Sequence, residues 1–126
     1  EWARDNRTTG LRIPISSSNN LRIENRVGGM DCNPYLGIAA SLACGLLGIK
    51  KKLKPREALT GEAYTMPRAL PHGLIEGLEL FNEAPELEML LGKTFCSIYR
   101  SLKRHEAESF LQVISPWERE HLLLNV

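Results

Sequence analysis

Leu21-Arg22-Ile23-Glu24-Asn25-Arg26 is the stretch that decides how this chain is read. As a strand it alternates, with Arg22, Glu24 and Arg26 on one face and Leu21, Ile23 and Val27 on the other. Three successive charges on one face of an otherwise apolar ribbon admit two readings. One is the solvated outer face of a half-buried strand, and spacing alone favours it, because charge runs mostly lie at surfaces. The other is a site where two arginines and a carboxylate hold an anionic ligand and a metal ion side by side. Arg7 and Arg12 add two more cations just upstream.

Working outward, Leu11 to Ile15 is a second strand candidate, and Leu21 to Val27 completes the first. Ser16 to Asn20 is a polar connector suited to a hairpin loop. Pro14 places its strand at an edge or a bulge, because proline cannot donate to a ladder. Gly28-Gly29 lets the backbone turn away after the charged strand. Two strands alone make a marginal sheet. Further strands are therefore expected upstream of Glu1, in a larger domain of which this chain is a part.

Downstream, Asp31-Cys32-Asn33-Pro34 is a helix start. Asn33 can cap, and Pro34 fits the first helical position because its missing N–H would have had no partner there. The run Tyr35 to Ile49 is apolar nearly all round and rich in Gly, Ala, Ser and Cys, so it reads as a buried helix that neighbours approach closely. It is too short for a membrane span, which needs about 20 residues. Lys50, Lys51, Lys52 and Lys54 form its solvated exit. Pro55 to Gly73 reads as a long loop. Three helices follow: Leu74 to Phe81, a short one from Pro85 to Gly92, and a longer one from Lys93. The last carries Phe95, Tyr99, Leu102 and Phe110 at helical spacing, a core stripe. Ser115-Pro116-Trp117-Glu118 is a capping box opening a terminal helix. The fold class is α+β, an antiparallel strand pair followed by four to five helices.

The chain has 126 residues, 43% of them hydrophobic and 25% charged, which fits one small soluble domain or part of a larger one. Its 16 basic and 15 acidic residues leave a formal net charge of +1. That balance argues against a nucleic-acid or anionic-membrane partner, which needs a clear positive excess. Cys32, Cys44 and Cys96 lack any Cys-x-x-Cys spacing and read as buried, reduced thiols of a cytoplasmic protein. The three histidines show no zinc-like spacing.

Three motifs in order carry a resemblance. They are Asn6-Arg7-Thr8-Thr9-Gly10-Leu11-Arg12-Ile13-Pro14, then Arg22-Ile23-Glu24-Asn25-Arg26, then Asn33-Pro34-Tyr35-Leu36 with Ala39-Ala40 after it. Together they closely resemble the C-terminal part of the glutamine synthetase catalytic domain, matched in order and spacing over about the first third of the chain. The resemblance implies an ATP-dependent ligase. ATP phosphorylates the γ-carboxylate of L-glutamate, and ammonia or an amine then displaces phosphate. It implies ATP and Mg²⁺ or Mn²⁺ as cofactors. Arg7 would stabilise charge at the γ-phosphate, Arg12 and Arg22 would lie near the nucleotide phosphates, Glu24 would ligate the metal, and Arg26 would bind glutamate. Arginine forks suit such charge, and a carboxylate between two arginines stays ionised for a hard cation.

Two segments depart from the usual pattern. Val27-Gly28-Gly29-Met30-Asp31-Cys32 and the ending from Ser115 to Arg119 look closer to γ-glutamylpolyamine synthetases, which leaves the nitrogen donor open between ammonia and an amine. Tyr64 sits in the long loop where some bacterial relatives carry an adenylylated tyrosine, but its surroundings differ and it reads as a plain loop residue. The family forms rings with shared active sites, so a homo-oligomer is expected of the whole protein. The family's N-terminal domain, first metal carboxylates and much of its nucleotide site have no counterpart in this sequence, and this chain alone is expected to be inactive. A family member that has lost catalysis and serves a structural role is the competing reading. The retained arginines and Glu24 speak against it.

Overall fold

In a computed structural model, residues 1–124 are described, and the chain divides into two units, Glu1–Ala69 and Leu70–Val126.

The first unit is built on three short strands. β1 (Trp2–Arg4) runs parallel to β2 (Leu11–Ile13), and β2 runs antiparallel to β3 (Glu24–Asn25), in the order β1-β2-β3. The expected antiparallel pair is present, and β1 adds a third strand. Both expected strands are shorter than their apolar patterns. β2 stops before Pro14, so the proline ends the strand instead of marking an edge, and β2 is the central strand. The connector between β2 and β3 folds as a 3₁₀ turn at Ser18–Asn20.

α1 (Pro34–Lys50) begins as expected. The Asn33 side chain accepts from the backbone N–H groups of Tyr35 at 3.0 Å and Leu36 at 3.3 Å, and Pro34 takes the first turn. Its burial differs from expectation. Only Ala43 is buried, whereas Tyr35, Ile38, Leu42 and Ile49 are between 61% and 83% exposed. Leu21, Ile23 and Val27, the expected core face of the charged strand, are also exposed. A three-stranded sheet of this size offers too little surface to cover such a helix. For the same reason Cys44 is exposed, and Cys32 is exposed in the loop before the helix, against the expectation of three buried thiols.

The long segment after α1 is irregular apart from a 3₁₀ turn at Ala63–Thr65, as expected. Part of it is laced to the sheet. Trp2 Nε1 donates to the Arg56 carbonyl at 2.7 Å, and the Leu59 N–H donates to the Trp2 carbonyl at 2.9 Å.

The second unit is helical: α2 (Leu74–Asn82), α3 (Pro85–Leu91), α4 (Lys93–Leu111) and α5 (Pro116–His121). Gly92, at φ 93°, takes a left-handed conformation that closes α3 and opens α4, which a side chain would strain. α4 packs against α2 and α3. Leu78, Cys96 and Ala107 are the buried apolar residues there, and burial pushes the Cys96 thiol up. Half of the expected aromatic stripe enters this packing. Tyr99 stands edge-on to Phe81 with ring centroids 6.0 Å apart and stacks on Phe95 at 5.8 Å. Leu102 and Phe110 are exposed, although Ala107 between them is buried. The capping box of α5 is complete: Ser115 Oγ accepts from the Glu118 N–H, and the Glu118 carboxylate accepts from the Ser115 N–H. Among the described residues no helix is long and apolar enough to cross a membrane.

Candidate functional site

The antiparallel register of β2 and β3 sets Arg12 directly opposite Glu24. Directly opposed side chains share a face of the sheet, so the two charges meet. Arg12 Nη1 donates to Glu24 Oε2 at 2.8 Å. The other Glu24 oxygen, Oε1, accepts from Arg22 Nη2 at 3.0 Å and Nε at 3.2 Å. One carboxylate thus bridges two guanidinium groups. On the next residue the alternation turns Asn25 the other way, where its Nδ2 donates to Ser41 Oγ on α1 at 2.9 Å. The helix therefore fixes β3 from one side while Glu24 serves the charged side.

A second carboxylate completes the cluster. Asp5 follows β1 in a left-handed conformation, φ 48°, and its N–H donates to the Ile13 carbonyl at 2.9 Å. Its Oδ1 accepts from Arg12 Nη2. Asp5 was absent from the sequence-based candidates. The only signal was a carboxylate beside the Asn6-Arg7 motif, and it has meaning only once β1 and β2 lie side by side.

The arginines hold the Glu24 carboxyl below the ordinary glutamate value. The Arg12 hydrogen bond contributes most, partial burial opposes it, and Arg22 adds to Arg12. Arg12 shifts the other way, its guanidinium pKa raised first by Glu24 and then by Asp5. Only 14% of the Arg12 side chain and 28% of the Glu24 side chain remain exposed. The Arg12 Nε is buried without a partner.

Arg7 and Arg26 follow Asp5 and Glu24 by two residues each, with exposed side chains that make no hydrogen bond or ion pair among the described residues. Arg26 is placed by its backbone, whose N–H donates to the Gly10 carbonyl at 2.8 Å. Arg7 sits on a well-fixed turn. Asn6 Oδ1 accepts from the Thr8 N–H at 2.9 Å and from the Thr8 hydroxyl at 2.7 Å. The buried Thr9 hydroxyl has the Leu11 carbonyl at 2.8 Å and the Asn6 carbonyl at 3.1 Å. The long loop joins in: Asn6 Nδ2 donates to the Gly61 carbonyl at 2.7 Å, and the Ala63 N–H donates to Thr8 Oγ1 at 2.9 Å. Asn6 therefore shapes the turn that carries Arg7.

Of the sequence-predicted residues, the structure joins Arg12, Glu24 and Arg22 by direct contact and leaves Arg7 and Arg26 outside that network. Arg22 and Arg26 lie just outside the ladder of β3, so the shared face holds for Glu24 and Arg22 through their ion pair. Among the described residues no group of three or more His, Cys, Asp and Glu side chains is placed to hold a metal ion. Both Glu24 oxygens are already engaged by guanidinium groups, so these residues do not build a divalent-cation site by themselves. A groove of about 380 Å³ between the Gly28–Cys32 loop and α1 is lined by apolar and neutral polar groups only. It is chemically unlike the cluster.

Residues 1–122 match the family described as the glutamine synthetase catalytic domain. Among individual proteins, a glutamate–isopropylamine ligase from a Pseudomonas species is 37% identical over 121 residues, covering 93% of this chain and 26% of that protein. A gamma-glutamylethanolamide synthetase from Streptomyces coelicolor is 37% identical over 118 residues, covering 93% of this chain and 25% of the other. A gamma-glutamylputrescine synthetase from Escherichia coli is 36% identical over 126 residues, with 98% and 26% covered. The chain thus spans about a quarter of the length of these relatives.

Proposed function

The chain belongs to the glutamine synthetase catalytic-domain family, and from that premise we propose that it forms one wall of the active site of an ATP-dependent ligase joining the γ-carboxylate of L-glutamate to an amine. The observation that carries the reading is the clamped cluster Asp5–Arg12–Glu24–Arg22, with two uncommitted arginines, Arg7 and Arg26, two residues on from its carboxylates. Four arginines against two carboxylates leave a local positive excess, which suits a polyanion and a dicarboxylate substrate.

In the reaction, the γ-phosphoryl group passes from ATP to a γ-carboxylate oxygen of glutamate and ADP leaves. The amine nitrogen then attacks the acyl carbon, phosphate leaves and the nitrogen loses a proton. Phosphoryl transfer asks the protein mainly for positioning and for charge stabilisation. Arg7, on its fixed turn, meets the charge on the phosphoryl group in transit. Arg12 and Arg22, spaced by Glu24, present guanidinium edges to the nucleotide phosphates. Arg26 binds the substrate carboxylate. Mg²⁺ or Mn²⁺ would be held by Glu24 together with further ligands, because no three His, Cys, Asp or Glu side chains cluster among the described residues.

The names of the three relatives share the glutamyl half and differ in the amine, which supports a glutamate–amine ligase with ammonia, a simple amine or a polyamine as acceptor. The test uses the ligase at the full length of its relatives. Glu24→Ala should abolish glutamate-dependent ADP formation, and Arg26→Ala should raise the KM for glutamate about tenfold or more while ATP binding is kept. Near-normal turnover in both variants overturns the assignment. Assays with ammonia, isopropylamine, ethanolamine, putrescine and spermidine decide the acceptor.

A further inference from the structure

We infer that Asp5 is a positioning residue that holds the Arg12 guanidinium ready for the nucleotide phosphates; this rests on the reading of Arg12 given above. The argument starts from how Arg12 is held. Two of its three nitrogens are tied, Nη1 to Glu24 and Nη2 to Asp5, and the third, Nε, is buried and unpartnered. The polar hold on the fork therefore comes from two carboxylates.

Those carboxylates are not equivalent. Glu24 divides its oxygens between Arg12 and Arg22, so anything that draws on Arg22 or Glu24 loosens its hold on Arg12. Asp5 has Arg12 as its sole side-chain partner among the described residues. It is also anchored by the strand that carries Arg12, through its N–H on the Ile13 carbonyl at 2.9 Å. The partner and the anchor thus move as one piece.

The backbone supplies an independent argument. At φ 48° residue 5 is left-handed, where Gly and Asn fit at least as readily as Asp. The turn itself asks for no negative charge. What the carboxylate adds over an isosteric amide is a charge-assisted bond to a guanidinium. Asp5 touches no reacting atom in this scheme and acts through Arg12.

The experiment compares Asp5→Asn, Asp5→Gly, Asp5→Glu and Arg12→Ala in the ligase at the full length of its relatives. Asp5→Asn keeps shape and removes charge, while Asp5→Gly relieves the left-handed backbone and so guards against misfolding. Both should raise the KM for ATP, and the Kd for ADP measured by calorimetry without turnover, by about tenfold, with the glutamate KM within about twofold. Asp5→Glu should restore most of the ATP affinity. Unchanged ATP and ADP affinity in Asp5→Asn and Asp5→Gly, with both weakened in Arg12→Ala, overturns the role of Asp5 alone. Unchanged affinity in Arg12→Ala overturns the reading of Arg12, and this inference with it. Equal rises in the ATP and glutamate KM of the Asp5 variants point to general disruption and also overturn it.

Discussion

Arg12 in the first unit and Arg100 in the second are the same chemical object in two settings. Each is mostly buried, each has a buried Nε with no partner, and each donates an Nη1 to a glutamate, Glu24 at 2.8 Å and Glu88 at 2.6 Å. Their surroundings separate them. Arg100 also lies over the Phe81 ring, 4.8 Å from its centroid, and its Nη2 reaches the Phe81 carbonyl at the end of α2 at 3.4 Å. One cation, one carboxylate, a ring and a helix C-terminus make a locally neutral staple joining α2, α3 and α4. Around Arg12 the glutamate is shared with a second arginine, a further carboxylate joins, and two more arginines stand unpaired two residues on from these carboxylates. A balanced pair holds helices together, whereas an unbalanced cluster is left with charge to offer a ligand.

The comparison breaks if the two glutamates behave alike. On the proposed function, Glu24→Gln should cut turnover of the protein at the full length of its relatives about 100-fold, equivalent to about 2.7 kcal/mol of barrier. Glu88→Gln should leave kcat and both KM values within about twofold and instead lower unfolding stability by about 1–2 kcal/mol, read by urea titration. A large kinetic defect in Glu88→Gln would erase the distinction.

Acid sharpens it next. The Glu24 carboxyl is held below its ordinary value in the folded protein, so the stability it contributes is full above the unfolded glutamate range, near pH 4.3, and is lost as pH falls through its lower folded value. The gap between wild type and Glu24→Gln in urea unfolding should be flat above about pH 5 and close at lower pH. A gap that persists unchanged to about pH 2 would mean that packing, not charge, holds the cluster.

The smallest effect belongs to the helical unit. Ser115→Ala removes one half of the α5 capping box and should cost about 1 kcal/mol, seen as faster amide exchange confined to Pro116–His121. The kinetics of the proposed reaction should not change.

How much of this was legible in the sequence follows from how local each cause is. The start of α1 at Asn33-Pro34, the break at Gly92 and the box at Ser115 rest on chemistry within four residues, and each stands where the sequence placed it. Trp2-Ala3-Arg4 was not legible as a strand, because three residues hold no measurable period and their partner lies nine positions on. Burial was misread for the same kind of reason: composition says that Ile38 and Leu42 seek cover, but not whether cover lies within these residues. In the cluster, Arg12, Arg22 and Glu24 were found by motif. Asp5 was missed because its role exists only through the parallel pairing of β1 with β2.

β3 is only two residues long, and those two residues face different duties: Glu24 toward the arginines, Asn25 toward Ser41. A slip of one position would swap them, setting an amide among the guanidinium groups and pressing a carboxylate against the helix. The connector from Ser16 to Asn20 can therefore gain or lose residues only if that parity survives. A length change that looks harmless in a polar surface loop would here exchange the groups that face the arginines.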